Sequence, residues 1–322
     1  MGWEKTMTTV IVNAPATVGN VGPGFDILGL AVEGLSDRFE FNLIDDDDDN
    51  NNNKEIITVS GRDQHLVPLD PEENSVTLSA WAMQKKMGSS QKFQVHIHRQ
   101  LPISGGLGGS AAASLAGACG AAALFGREVD DRSLMEAALV GEQYVAGRHL
   151  DNIAPCLFGG LVLIRGLSPI SVDPFTCHPY WISLVTPQQK LQTKESRDIL
   201  PKMLPREVWI PQMANAVALV QGLVTGNDQL IRDSVIDRFA EPKRGELIKG
   251  FGQAKNNALE AGALGCSISG GGPTCFAISV DESIAKEVLE AMAQGIGEIA
   301  LKHVGRISPT GVKIDLLSNK EE

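Results

Sequence analysis

The stretch Leu101-Pro-Ile-Ser-Gly-Gly-Leu-Gly-Gly-Ser-Ala-Ala-Ala-Ser-Leu115 decides how the rest of the chain is read. Gly105, Gly106, Gly108 and Gly109 allow a tight backbone with nothing projecting to block a ligand. Ser110 stands where an N-cap is expected, ahead of Ala111–Leu124, a run rich in the best helix former. A glycine loop feeding a helix start presents free N–H groups and the positive end of a dipole, which together make an anion site. The anion expected here is a phosphate. The Walker spelling fails, because no Gly-Lys pair closes the loop. Gly106, Gly108 and Ala111 fit the dinucleotide spelling, but that unit needs a strand running straight into its turn. Arg99-Gln-Leu-Pro102 intervenes after the strand-like Phe93–Ile97, which argues against a Rossmann unit.

Outward from that loop, 322 residues are long for one core, so two domains are expected, 1–168 and 169–322. A hydrophobic content of 43% and a charged content of 21% are ordinary for a globular chain. The net charge of −11 argues against general nucleic-acid or anionic-membrane binding, so an anionic ligand has to be held by local groups. The five cysteines show no metal spacing and read as reduced thiols of a cytoplasmic protein. Met1–Thr6 lacks the apolar core of a signal peptide, and Ala111–Phe125 is too short to span a bilayer.

Taken in order, Thr8–Ala14 reads as a strand entering the glycine-rich loop Pro15–Asp26. Leu28–Val32, Arg38–Ile44 and Glu55–Ser60 read as further strands, with the Asp/Asn tract at 45–53 a solvated hairpin tip. That tract lacks the glycine and the glutamate of an EF-hand loop. A helix capped by Asn74 or Ser75 runs to Met87, and one capped by Asp130 or Asp131 runs to Ala146. Gly159–Arg165 reads as a strand, and the proline-containing 166–180 as a hinge. Beyond it come strand Trp181–Thr186 and helices Val208–Val224, Asp228–Ser234 and Gly245–Ala261. A second glycine knot at 270–272, strand Cys275–Val280, helix Asp281–Gln294 and strand Gly311–Leu316 follow. Helices and short strands without regular alternation favour α+β over a doubly wound sheet.

Three glycine-rich loops, at 19–24, 105–109 and 270–272, exceed what packing demands. Pro15-Ala-Thr17 with Gly24-Phe-Asp26, Pro102 with Gly106-Leu-Gly-Gly-Ser-Ala-Ala112, and Ser269-Gly-Gly-Gly-Pro-Thr274 resemble the three ordered motifs of the GHMP small-molecule kinases. Asn20, His149-Leu-Asp-Asn-Ile-Ala-Pro155, Gln192-Thr-Lys-Glu-Ser-Arg197 and Glu241-Pro-Lys-Arg244 resemble the homoserine kinase branch of that family. The resemblance implies an N-terminal half like domain 2 of ribosomal protein S5, a ferredoxin-like C-terminal half, and transfer of the γ-phosphoryl of MgATP to the side-chain hydroxyl of L-homoserine in threonine biosynthesis. Asn74, Ser75, Arg99 and the whole loop Pro102, Ile103, Ser104, Gly105, Gly106, Leu107, Gly108, Gly109, Ser110, Ala111 and Ala112 would hold ATP. Ser110 and Glu142 would hold Mg²⁺, and these two with Asn152 would serve catalysis. Asn20, Asp26, Asn152, Thr193, Arg197 and Arg244 would bind the substrate.

The residue types suit that ligand. A zwitterion needs an anion for its ammonium, which Asp26 supplies, and cations for its carboxylate, which Arg197 and Arg244 supply. Phosphoryl transfer rests on positioning and charge stabilisation, so no general base is named. Taken singly, His149, Arg197 and Arg244 read as structural or surface residues; their order around the glycine loops gives them function. The family's central loop usually reads Gly-Ser-Gly-Leu-Gly-Ser-Ser, against Ser104-Gly-Gly-Leu-Gly-Gly-Ser110 here, so hydroxyls are missing at 105 and 109 and one is gained at 104. Arg99 likewise replaces a frequent lysine. Another GHMP kinase acting on a different small alcohol and a catalytically silent sensor of the same fold stand as alternatives. A homodimer is the family-level expectation.

Overall fold

The computed structural model describes residues 8–44 and 56–318; the Asp/Asn tract at 45–53 lies outside the described residues. The first sheet is built from β1 (Thr8–Gly19), β2 (Leu28–Leu43), β3 (Ile57–Gly61) and β4 (Phe93–Arg99) with later strands added. The expected strands Leu28–Val32 and Arg38–Ile44 are one. Both ends of β2 pair antiparallel with β1, and a register shift between Pro15 and Thr17 absorbs the polar interruption. That shift bends the ribbon where the site is built, a common use of bulges.

Helix α1 (Ser75–Met87) starts at Asn74, whose side chain accepts from Val76 N, as expected of an N-cap. Helix α2 (Gly109–Leu124) starts differently from expectation. Its N-cap is Gly108 at φ 68°, and Ser110 lies inside the first turn, because the loop must pass through a left-handed residue before the helix. Every α2 residue except Gly109, Ser110 and Ala123 is buried, which explains why its side chains, Leu115 and Leu124 apart, are all small: neighbours close on it from all sides. Helix α3 (Asp131–Val145) is capped by Asp130, which accepts from Ser133 N at 2.9 Å. The short α4 (Ile153–Phe158) escaped the sequence reading because Pro155 sits within it.

The expected hinge at 166–180 is instead largely a hairpin. β5 (Leu161–Leu167) pairs with β2 and with β6 (Ile170–Phe175), from Leu161–Phe175 to Leu167–Ile170 with a register shift between Ile164 and Gly166. Pro174 is tolerated because β6 is an edge strand. The division expected at 168/169 therefore falls in the turn of this hairpin. The last strand, β11 (Lys313–Ser318), also returns to the first sheet and pairs with β1 from Thr8–Ser318 to Asn13–Lys313.

The second sheet comprises β7 (Trp181–Pro187), β8 (Gly265–Ile268), β9 (Cys275–Ser279) and β10 (Ile299–Arg306), in the order β10-β7-β9-β8. Helices α5 (Thr193–Asp198), α6 (Arg206–Thr225), α7 (Asp228–Ser234), α8 (Glu241–Leu247) and α9 (Phe251–Glu260) intervene between β7 and β8. Helix α10 (Glu282–Gly295) joins β9 to β10, completing the split βαβ pattern of a ferredoxin-like half. The helix expected over Gly245–Ala261 is two helices, broken at Gly250, whose φ is 86°. Strand β10 was not anticipated: most of its residues are half-exposed, so apolar alternation is weak. The fold is α+β in two halves. Ile182, Leu184 and Phe276 of the second sheet share one core with Val12 and Phe39 of the first and with Leu115 of α2. Helix α6 is long and apolar enough, by length and composition alone, to cross a bilayer, but it packs on α7 and buries Ala216, Leu219 and Leu223.

Candidate active site

The three glycine loops meet. Gly270 N donates to Gly19 O, and Asn20 Nδ2 donates to Gly270 O, at 3.0 and 2.9 Å. Ser269 Oγ donates to Gly106 O at 2.6 Å, and Thr274 N to Gly105 O at 3.1 Å. A Cβ at Gly106 would stand 2.6 Å from Ser269 O, so loop and knot approach as only glycine permits. Beside them opens a cavity of about 340 Å³. Asn20 and Asp26 from the β1–β2 loop, Arg99 from β4, the α2 loop, Glu142 from α3, Asn152, Arg197 of α5 and Arg244 of α8 all line it.

One end is the start of α2. Ser110 Oγ donates to Glu142 Oε1 at 3.1 Å, while Glu142 Oε2 is buried without a hydrogen-bond partner. Burial pushes the Glu142 carboxyl up to about 8, against the stabilising bond from Ser110 and with the help of nearby Asp151. Asn152 is oriented by Thr17, whose hydroxyl donates to its Oδ1 at 2.9 Å.

The other end holds charge of both signs. Arg197 grips Asp26 with both terminal nitrogens, Nη1 at 3.0 Å to Oδ2 and Nη2 at 2.6 Å to Oδ1. Arg244, 3% exposed, donates from Nε to Ser196 O and from Nη1 to Gly270 O. Both guanidiniums stand over the Phe25 ring, 5.1 and 5.2 Å from its centroid. Burial first, and then the like charge of Arg197, bring the Arg244 pKa down to about 10, which still leaves it protonated at neutral pH. His149 sits 3.4 Å from Arg197 Nη2, and burial with the Arg197 charge lowers its pKa, so it faces the arginine as a neutral acceptor.

A glycine-fed helix start and an ion-pair pocket thus share one cleft on this fold. The family model for the N-terminal domain of GHMP kinases matches residues 74–160, and that for the C-terminal domain matches 218–297. The chain is 38% identical over 296 residues to a homoserine kinase of Chlorobaculum tepidum, covering 89% of this chain and 90% of that one. It is 36% identical over 299 residues to one from Chlorobium phaeobacteroides, covering 89% and 91%. The chain belongs to the homoserine kinase family. A crystal structure of homoserine kinase from Cytophaga hutchinsonii superimposes with a TM-score of 0.88 at 34% identity, covering 98% of this chain and all of that one.

Within this homoserine kinase fold, most of the residues expected in the site are brought together, and five behave otherwise. Leu107, Ala111 and Ala112 are buried in the core and do not line the cavity; only their backbone belongs to the loop. Asn20 lines the cavity, yet both ends of its amide are engaged, Nδ2 on Gly270 O and Oδ1 on Asp26 N, so it ties loops together. Thr193 opens α5, the helix that carries Arg197. Two contributors escaped the sequence. Asp151, 4% exposed, lines the cavity, and burial together with the Asp26 charge pushes its carboxyl up to about 7. Phe25 is the platform for both arginines, and nothing in the spacing marks an aromatic as a cation seat.

Proposed function

We propose that this chain phosphorylates the side-chain hydroxyl of L-homoserine with ATP, giving O-phospho-L-homoserine on the route to threonine. One observation carries the reading: a single cavity has a phosphate-type helix start at one end and a cluster of Asp26, Arg197 and Arg244, suited to an amino-acid zwitterion, at the other. Its likeness to named homoserine kinases supports the same substrate.

The nucleotide phosphates lie against the α2 loop, where backbone N–H groups converge. Glu142 Oε2, buried and unpartnered, with the Ser110 hydroxyl beside it, fits a hard divalent cation. Among the described residues no cluster of three acidic, histidine or cysteine side chains could cage a metal. That suits Mg²⁺, which takes one or two protein oxygens and completes its shell with phosphate and water. When bound, Mg²⁺ neutralises charge on the phosphates.

Homoserine enters by exchange of partners. Its ammonium takes Asp26, and its carboxylate takes Arg197 and Arg244, so Asp26 and Arg197 each keep a counter-charge throughout. Parting the Asp26–Arg197 pair then costs far less than exposing either group alone. With its Oδ1 held by Thr17, Asn152 has Nδ2 left to orient the hydroxyl. A loose transition state needs little help from a base, so alignment of the hydroxyl with the phosphorus is the main task. All five cysteines are free thiols, which accords with a cytoplasmic setting. A homodimer belongs to the same reading, and sedimentation velocity checks it.

The test is ADP release with MgATP and L-homoserine, L-serine, L-threonine, mevalonate or galactose. Turnover with homoserine alone is expected. Turnover with another alcohol moves Asp26, Arg197 and Arg244 to that substrate, and silence with all five in a chain that binds ATP favours a sensor.

A further inference from the structure

A second cavity, of about 260 Å³, opens at the other end of α4. Phe158, the last residue of that helix, lines it together with Pro174 and Phe175 of β6 and Pro179 beyond. Glu33 of β2 and Arg306 of β10 are the two charged residues on its lining. The antiparallel bridge between Val32 and Ile307 sets them side by side, one residue along each chain. Among the described residues neither side chain makes an ion pair; the Arg306 guanidinium lies over the Trp181 ring instead, 4.9 Å from its centroid. A cation and an anion that share one space without pairing outline a seat for a zwitterion. The wall sets the rest of the ligand: Phe158, Pro174, Phe175 and Pro179 offer apolar side chains with no hydrogen-bonding group, so the body beyond the charged head is apolar.

Helix α4 connects this space with the first cavity. Asn152 is its N-cap and lines the first cavity, Phe158 lines the second, and the six helical residues between the caps span about 9 Å. Gly159 and Gly160, at φ 76° and 62°, then join the helix to β5, a backbone joint that other residues would strain.

We propose that the second cavity binds an α-amino acid with an apolar side chain, and that its occupation is coupled to the first cavity through α4. The ligand's ammonium meets Glu33, its carboxylate meets Arg306, and its side chain packs on Phe158 and Phe175. Pressure on Phe158 shifts α4, with the two glycines as the pivot, and displaces the Asn152 amide that orients the substrate hydroxyl. The binding site stands apart from the reading of the first cavity as a homoserine site; the coupling alone rests on it.

The test is calorimetric titration of the full chain with L-leucine, alone and at saturating L-homoserine and MgADP. Leucine should bind with a Kd on the order of 0.1–1 mM. Isocaproate, which lacks the ammonium, and isoamylamine, which lacks the carboxylate, should each bind more than about tenfold more weakly. Glu33→Gln and Arg306→Gln, both outside the first cavity, should each weaken leucine about tenfold. Both variants should keep leucine-free turnover within about twofold of wild type, which a misfolded chain would not. Saturating homoserine should weaken leucine about threefold and no further, and leucine should weaken homoserine by the same factor. Complete exclusion of leucine by homoserine, or leucine binding unaltered in both variants, overturns the second site. Leucine bound beside homoserine with both affinities unmoved overturns the link through α4. A chain that binds leucine as expected but not homoserine overturns the reading of the first cavity and leaves the second site standing.

Discussion

Arg244 meets two carbonyls, the Phe25 ring and the cavity at once. Replacing it with an apolar residue would strand Ser196 O and Gly270 O as well as remove a charge, so Arg244→Lys is the cleaner probe. It should raise the homoserine KM by about ten- to a hundredfold and leave the ATP KM within about twofold, since a charge stays in place while the planar guanidinium, with one of its two carbonyl contacts, is lost. Steady-state kinetics decide, and an unchanged homoserine KM removes Arg244 from the substrate site. Asp151 gives a pH signature. In the folded chain its carboxyl keeps its proton to about pH 7, against 3.8 for an ordinary aspartate. Between those values the native state binds the extra proton, so stability falls as pH rises through that window. Asp151→Asn should therefore raise the Tm of the ligand-free chain by about 3–6 °C at pH 8 and by little at pH 4. Calorimetric scans at the two pH values compare them; an equal shift at both contradicts the buried-proton account.

At the scale of elements, the substrate end depends on how α6, α8 and the β1–β2 loop are fastened. Gln212 of α6, buried, donates from Nε2 to Pro23 O at 2.8 Å and to Asp237 Oδ1 at 2.9 Å, and accepts from Arg238 N. Asp237 in turn accepts from Phe239, Ala240 and Glu241 N, which starts α8 and aims Arg244. One amide thus links the loop carrying Asp26 to the helix carrying Arg244. Gln212→Met keeps the volume and cuts the link. It should raise the homoserine KM about tenfold at nearly constant kcat, with the ATP KM unmoved. Equal losses for both substrates would reduce Gln212 to a packing residue. The caps of α1 and α3 were legible in sequence because Asn74 and Asp130 bond within their own first turns. This bridge was not, because its groups lie 25 and 189 residues apart along the chain.

For the whole molecule, the C-terminal strand β11 closes the N-terminal sheet along β1. Ending the chain after Pro309 should lower Tm by more than about 5 °C and expose β1 to protease, because a paired strand becomes an open edge. Thermal melts and limited proteolysis check this, and an unaltered melt would make β11 an appendage. By itself the sequence determined the phosphate-type loop, many of the residues that line the cavity around it and the α+β class, because glycine spacing, caps and charge types act over a few residues. Only the tertiary structure decided that Arg197 closes on Asp26, that Phe25 seats both arginines and that α4 runs from one cavity to the other. It alone also decided that the chain's last strand belongs to its first sheet. Those contacts depend on packing, burial and desolvation between segments far apart in the chain, and no local pattern encodes the distance between them.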